Sequence, residues 1–310
     1  MTWLLWRQHR MQAMLSAVLL VALAGILWPT GVHMAHLYHA AIADCQASDS
    51  CDGLSLFRGY GAVIDLVNLT LIVPVLLGAL WGAPLLGREI ETGTHILAWT
   101  QSLTRRGWLN AKLTVLLAAT AVVSAAVSAI VTWWSGTLNS LYGQRFDPLH
   151  FEIQGVVPVA YALFGVSLGI TAGALFRRSL PALGVTIFGY LAVRILVDNY
   201  LRPHLLHPLT SLVRLDDQPA IGSGAWILRS TLVVNGHPLD GRIPVPAQCV
   251  GSASRPAMNR CLIDSGFRML TEYQPASRYW QFQLLEAGLF VLLAALLIAT
   301  CVLLMRRRDA

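Results

Sequence analysis

Six stretches of about twenty residues are almost free of charge, and this limits the possible folds more than any other feature of the chain. The hydrocarbon core of a bilayer takes roughly 20 consecutive apolar residues per helix. Met11–Val32, Leu66–Gly87, Leu113–Trp134 and Ile153–Phe176 contain no charged residue. Ser179–Val197 is interrupted only by Arg194, and Trp280–Met305 only by Glu286. Pro74, Pro84, Pro158 and Pro181 fall within these stretches, where neighbouring helices and waters can satisfy the freed carbonyls. Charged residues make up 12% of the chain, against about 25% in soluble domains. A length of 310 residues fits two soluble domains or one polytopic membrane domain, and a mean hydropathy of +0.59 selects the second.

The cations orient the spans. With the N-terminus in the cytoplasm, that side holds Arg7, Arg10, Arg88, Arg105, Arg106, Lys112, Arg177, Arg178, Arg306, Arg307 and Arg308. The two short outer loops hold only Arg58 and Arg145. The expected protein is multi-pass in the plasma membrane with both termini cytoplasmic. Met11–Val32 is too long for the h-region of a cleaved signal, and Trp3, Trp6 and Trp28 flank it as interfacial anchors would. The net charge of +6 follows this topology and implies no nucleic-acid surface.

The expected fold class is an all-α integral membrane protein, six transmembrane helices with a small disulfide-linked extracytoplasmic subdomain between spans five and six. Residues 1–197 carry helices one to five, with a cytoplasmic loop at 87–112. Residues 198–279 form the outer subdomain, and 280–310 the sixth helix and a basic tail. Cys45 and Cys51 share the first outer loop, and Cys249 and Cys261 share the large one. Two pairs outside the cell suggest two disulfides, the alternative being free thiols in polar loops. In the large loop, Leu201–Val213 reads as a helix lying on the surface. Ile227–Val234 reads as a strand, and Asn235-Gly236 as a hairpin turn. This subdomain either gates an exit or holds a partner, or is a passive cap.

Gly87–Lys112, between spans two and three, is both charged and rich in large apolar residues: Ile90, Ile96, Leu97, Trp99, Leu103, Trp108 and Leu109. Such a segment buries its apolar face at the lipid interface or against a cytosolic protein. Glu89 and Glu91 would be repelled by anionic headgroups and suit a protein partner better.

Glu89-x-Glu91-x-Gly93-Thr94, an apolar run, then Ser102, Arg105 and Lys112 leading into a span, resembles the signature of ATP-binding-cassette (ABC) exporter permeases of the second type. Leu97-Ala98-Trp99-Thr100-Gln101-Ser102 and Tyr273–Trp280 are most similar to the actinobacterial branch, although that family usually has Pro near the position of Gln101. The resemblance implies a coupling helix docking on a cytosolic ABC ATPase subunit, with Glu89, Glu91, Gly93, Thr94, Leu97, Trp99 and Arg105 carrying the contact. It also implies a second permease copy as partner. ATP and Mg would then bind the partner ATPase, with no cofactor in this chain. Consistently, the only lysine, Lys112, lies between Ala111 and Leu113 and cannot belong to a P-loop.

Asp65, Arg194 and Glu286 are the ionisable groups recognised within spans. Such groups mark a substrate pathway or form an ion pair between helices. Arg194 has Glu286, Asp65 or Asp198 as candidate partners. Gly165, Gly169 and Gly173 recur every four residues, as a close helix contact requires. Gly165-x-Ser167-x-Gly169 formally matches a nucleophile motif, but that motif needs a strand–turn–helix elbow, and the sixth span offers no histidine as base. His33, His36 and His39 rotate around their helix, so no metal site is assigned. No residue is expected to be catalytic. The expected function is a permease moving a hydrophobic or amphipathic small molecule, drug or peptide out of the cell. The alternative is a receptor or assembly scaffold, with an intramembrane serine protease a remote third.

Overall fold

The structure, a computed structural model, describes residues 2–47, 59–91, 105–217, 221–234, 236–239, 245–250 and 254–307. Among these, six helices are long and apolar enough to cross a membrane: Arg10–Ala40, Gly61–Arg88, Gly107–Ser140, Val157–Phe176, Ser179–His204 and Ala276–Arg306. They are spans one to six in chain order.

Span four is the hub. It packs on spans two, three, five and six and is buried along most of its length. Its glycines explain the closeness of the contact with span two. A Cβ on Gly169 would lie 2.3 Å from the Gly78 carbonyl oxygen and 2.7 Å from the Ala83 nitrogen. A Cβ on Gly165 would meet the Pro74 carbonyl oxygen at 2.8 Å, and one on Gly173 the Ala83 carbonyl oxygen at 2.6 Å. The two backbones therefore touch with no side chain between them, as small residues at four-residue spacing permit. Span two is correspondingly irregular, with a tight 3-10 turn at Leu69–Ile72, Pro74, and a wide π turn at Gly78–Gly82. Such turns are common causes of bends in helices.

Span one is peripheral. It leans on span three, where Trp28 stacks on Trp133 with ring centroids 5.0 Å apart and Trp134 Nε1 donates to Thr30 Oγ1 at 3.1 Å. Met14, Leu15, Val18 and Leu19 on its other face are exposed. In a bilayer, that face meets lipid or another protein.

The subdomain between spans five and six is an antiparallel sheet of β1 (Leu209–Arg214), β2 (Trp226–Val234), β3 (His237–Pro238) and β4 (Phe267–Gln274), in the order β1-β4-β2-β3. β2 covers the stretch expected to be extended. Val234 pairs with His237, and Gly236 before it has φ +84°. Leu201–Val213 departs from expectation. Helix continues only through His204, and Pro208 then forces an extended chain that becomes β1. A helix at Arg255–Asp264 covers the sheet around Phe267, and Cys249 and Cys261 stand at disulfide distance there, Cα–Cα 5.6 Å. Cys51 and the side chain of Cys45 lie outside the described residues. Trp226 anchors the sheet to the spans by packing on Phe146 and Phe282, with centroids 5.7 and 6.1 Å away.

Candidate functional site

Span two ends in the helix Ala83–Glu91, which carries the first part of the charged segment. Its last residue is fixed to another element. Glu91 Oε2 accepts hydrogen bonds from the Ser179 backbone N–H and from the Ser179 hydroxyl, both at 3.2 Å. Ser179 opens span five, so the carboxylate sits at the positive end of that helix dipole. Glu89 lies on the same terminal turn, and Arg105 opens the helix Arg105–Tyr142. Gly93, Thr94, Leu97 and Trp99 lie outside the described residues.

Two apolar residues read as free to face a partner are not free. Trp108 and Leu109 are buried in a cluster with Trp81, Leu85, Leu86 and Leu113. Helix begins at Arg105, and from there residues 108, 109, 113 and 116 fall on one face, which the bundle covers. The Lys112 ammonium lies over the Trp108 ring, 4.5 Å from its centroid.

At the other end of span five lies a buried ion network. Arg194 contacts Glu152 at 2.5 Å and Glu286 at 3.4 Å. Arg202 grips Glu286 with both arms of its guanidinium, Nε at 2.7 Å and Nη2 at 2.9 Å, and reaches Glu152 at 2.9 Å. It also pairs with Asp198, one helical turn back. The Tyr161 hydroxyl donates to Glu286 Oε1, while the Arg194 guanidinium lies 3.7 Å from the Tyr161 ring centroid. Arg202 is 1% exposed and Glu286 fully buried, so these charges have left water altogether. Two guanidinium groups face two buried carboxylates and a half-buried third. Such a cluster persists only because nearly every polar atom in it is paired.

Beside it, Gln283 of span six holds a helix break together. Its Oε1 accepts from the N–H groups of Val156 and Val157 at 2.9 and 3.0 Å. Its Nε2 donates to the carbonyls of Phe151 and Gln154 at 3.0 and 3.2 Å. The break turns on Gly155, φ +75°, where a Cβ would lie 2.6 Å from Gln283 Oε1. Only glycine meets both conditions without strain. The break aims Glu152, on the short helix Pro148–Ile153, into the network.

Of the span residues singled out from sequence, Arg194 and Glu286 meet in this network, whereas Asp65 is exposed and joins no ion pair among the described residues. Arg194 does not take Asp198 as its partner; Arg202 does. Glu152, Tyr161 and Arg202 were missed. Residues 194, 198 and 202 recur every four residues, a signal that one helix face was charged and the helix longer than its apolar stretch. Ser167 lies within the continuous helix Val157–Phe176, which provides no nucleophile elbow.

Two apolar grooves flank span one. One, of about 370 Å³, lies against span two between Leu15, Leu19, Leu23, Leu69, Leu76 and Leu80. The other, of about 410 Å³, lies against span three near Ser16, Leu20, Val115 and Val122. A recess of about 10 Å³, where Thr70, Ser124, Ser128 and Glu152 stand among apolar residues, shares Thr70, Val73 and Val127 with the first groove.

No curated protein and no solved structure matches the chain. A family model described as ABC-2 membrane transporter related matches residues 17–202, from span one to the arginine that grips Glu286. With six apolar helices and a match over more than half its length, the chain belongs to the ABC-2 membrane transporter related family.

Proposed function

We propose that this chain is the membrane subunit of an ATP-driven exporter that moves a hydrophobic or amphipathic small molecule, drug or peptide out of the cell. ATP and Mg bind a separate cytosolic ABC ATPase, and two permease copies form the working unit. Both termini and the Gly87–Lys112 segment face the cytoplasm, and the actinobacterial branch of the family is the one its motifs fit. The observation that carries this reading is the Glu89-x-Glu91-x-Gly93-Thr94 sequence in a family member, of which Glu89–Glu91 close the helix of span two at the end of the bundle opposite the subdomain. There it is fastened to span five, so that a force on the segment reaches the helices. The apolar groove beside span one supports a cargo with a hydrophobic part. The exposed face of span one supports contact with a second copy or with lipid.

The test is coexpression with an ABC ATPase encoded beside the gene, followed by ATP-dependent uptake of lipophilic fluorescent dyes into inside-out vesicles. Uptake is expected with the wild-type ATPase and lost when its Walker lysine is replaced. An ATPase that copurifies without any transport would favour the scaffold reading. An ATPase that does not bind the chain would overturn the proposal.

A further inference from the structure

We infer that Glu91 acts inside this chain as a positioning residue: it caps span five and ties the coupling segment to the helix that holds the ion network. The inference rests on the coupling reading above. Span five cannot cap itself. Its N-cap residue is Arg178, which makes no side-chain cap hydrogen bond, and Pro181 in the first turn has no N–H. The orphan donors of a helix start need an outside acceptor. Glu91 provides one from a segment 88 residues away in sequence, with both a backbone and a hydroxyl donor of Ser179 on one carboxylate oxygen. A Cβ on Gly87, one turn earlier on the same helix, would lie 3.4 Å from the Arg178 and Ser179 backbone, so the two elements also run close together there.

From Ser179 span five stays helical to His204: a regular α-helix through Leu196, about 27 Å at 1.5 Å per residue, then a π turn at Val197–Leu201 and a 3-10 turn at Arg202–His204. Its far end carries Arg194 and Arg202, which hold Glu152 and span six's Glu286. Span five is thus held at both ends, by Glu91 at one and by the buried carboxylates at the other. A displacement of the coupling segment moves the start of this rod, and the rod delivers it to the network. Glu91 then has its partner in Ser179 and not in the ATPase.

The experiment separates capping from tethering. Wild-type, Glu91→Ala and Glu91→Ala/Arg178→Ser chains are compared, the second substitution giving span five a cap of its own. In nanodiscs without ATPase, hydrogen exchange at the Ser179 and Leu180 amides should rise about twofold to thirtyfold in Glu91→Ala, the range a lost cap produces, and return in the double variant. In the complex with its ATPase, an Asn199→Cys reporter on the exposed side of span five should change its maleimide labelling rate when ATP is added. That response should be lost in Glu91→Ala and stay lost in the double variant, where the cap is back but the tie is not. Unchanged exchange in Glu91→Ala overturns the cap. An ATP response restored by Arg178→Ser overturns the tether, and so does a wild-type complex whose reporter ignores ATP. An ATPase that does not copurify with the wild-type chain overturns the functional reading and the transmission with it, while the exchange arm still decides the cap.

Discussion

On Glu286, which is fully buried, two guanidinium groups and a tyrosine hydroxyl converge. A buried pair of this kind contributes little over an apolar replacement, but removing one partner strands the other charge and costs about 3–5 kcal/mol. Glu286→Leu and Arg202→Met should therefore each destabilise the chain by about that much, in denaturant-induced unfolding of the detergent-solubilised protein. The double variant should lose less than the sum, because each change removes the charge that the other strands. Additive losses would show that the two side chains do not share one site. The sequence pointed to Arg194 and Glu286 because a lone charge in an apolar run is conspicuous. Glu152 and Arg202 escaped because each sits just outside such a run, Glu152 before Ile153 and Arg202 after Val197, where polar flanks usually meet water.

Among the elements, span four sets the closest tolerance. Gly165, Gly169 and Gly173 were legible as a packing face from their spacing alone, although nothing in that spacing named span two as the surface they meet. The match depends on Gly78 and the π turn around it, an irregularity that hydrophobicity does not encode. Gly169→Leu has to push two backbones apart, since its Cβ would stand 2.3 Å from a carbonyl oxygen that cannot rotate away. The folded fraction after detergent extraction, read by size-exclusion chromatography, should fall severalfold. Gly184→Ala, where a Cβ meets nothing within 4 Å, should leave it unchanged or slightly higher. Equal behaviour of the two variants would mean that spans two and four are not in backbone contact. The strand β1 was illegible for a different reason. Apolar and polar residues mix in Leu201–Val213 in a way that suits a helix, but the helix ends at His204, and Pro208, which lacks an N–H and biases His207 toward extended backbone, leads into β1.

The molecule as a whole has two unlike ends. One carries the sheet, the Cys249–Cys261 pair and the aromatic cluster around Trp226. The other carries the Arg177-Arg178 turn between spans four and five, Arg88 at the end of span two and Arg306 at the end of span six. The six spans and their succession were readable from apolar length, because a bilayer leaves a helix no alternative. Cations near the ends of short loops tend to stay on the cytoplasmic side, and the orientation we propose puts the arginine-bearing end there and the sheet outside. Ser223, in an exposed turn of the subdomain, and Arg177, exposed in the opposite turn, are suitable markers. A membrane-impermeant maleimide applied to intact cells should label Ser223→Cys well above the wild-type background and leave Arg177→Cys unlabelled until the membrane is opened. The reverse pattern would put the coupling segment outside the cell, where no ATPase could reach it, and an ATP-driven exporter could not be built on this chain.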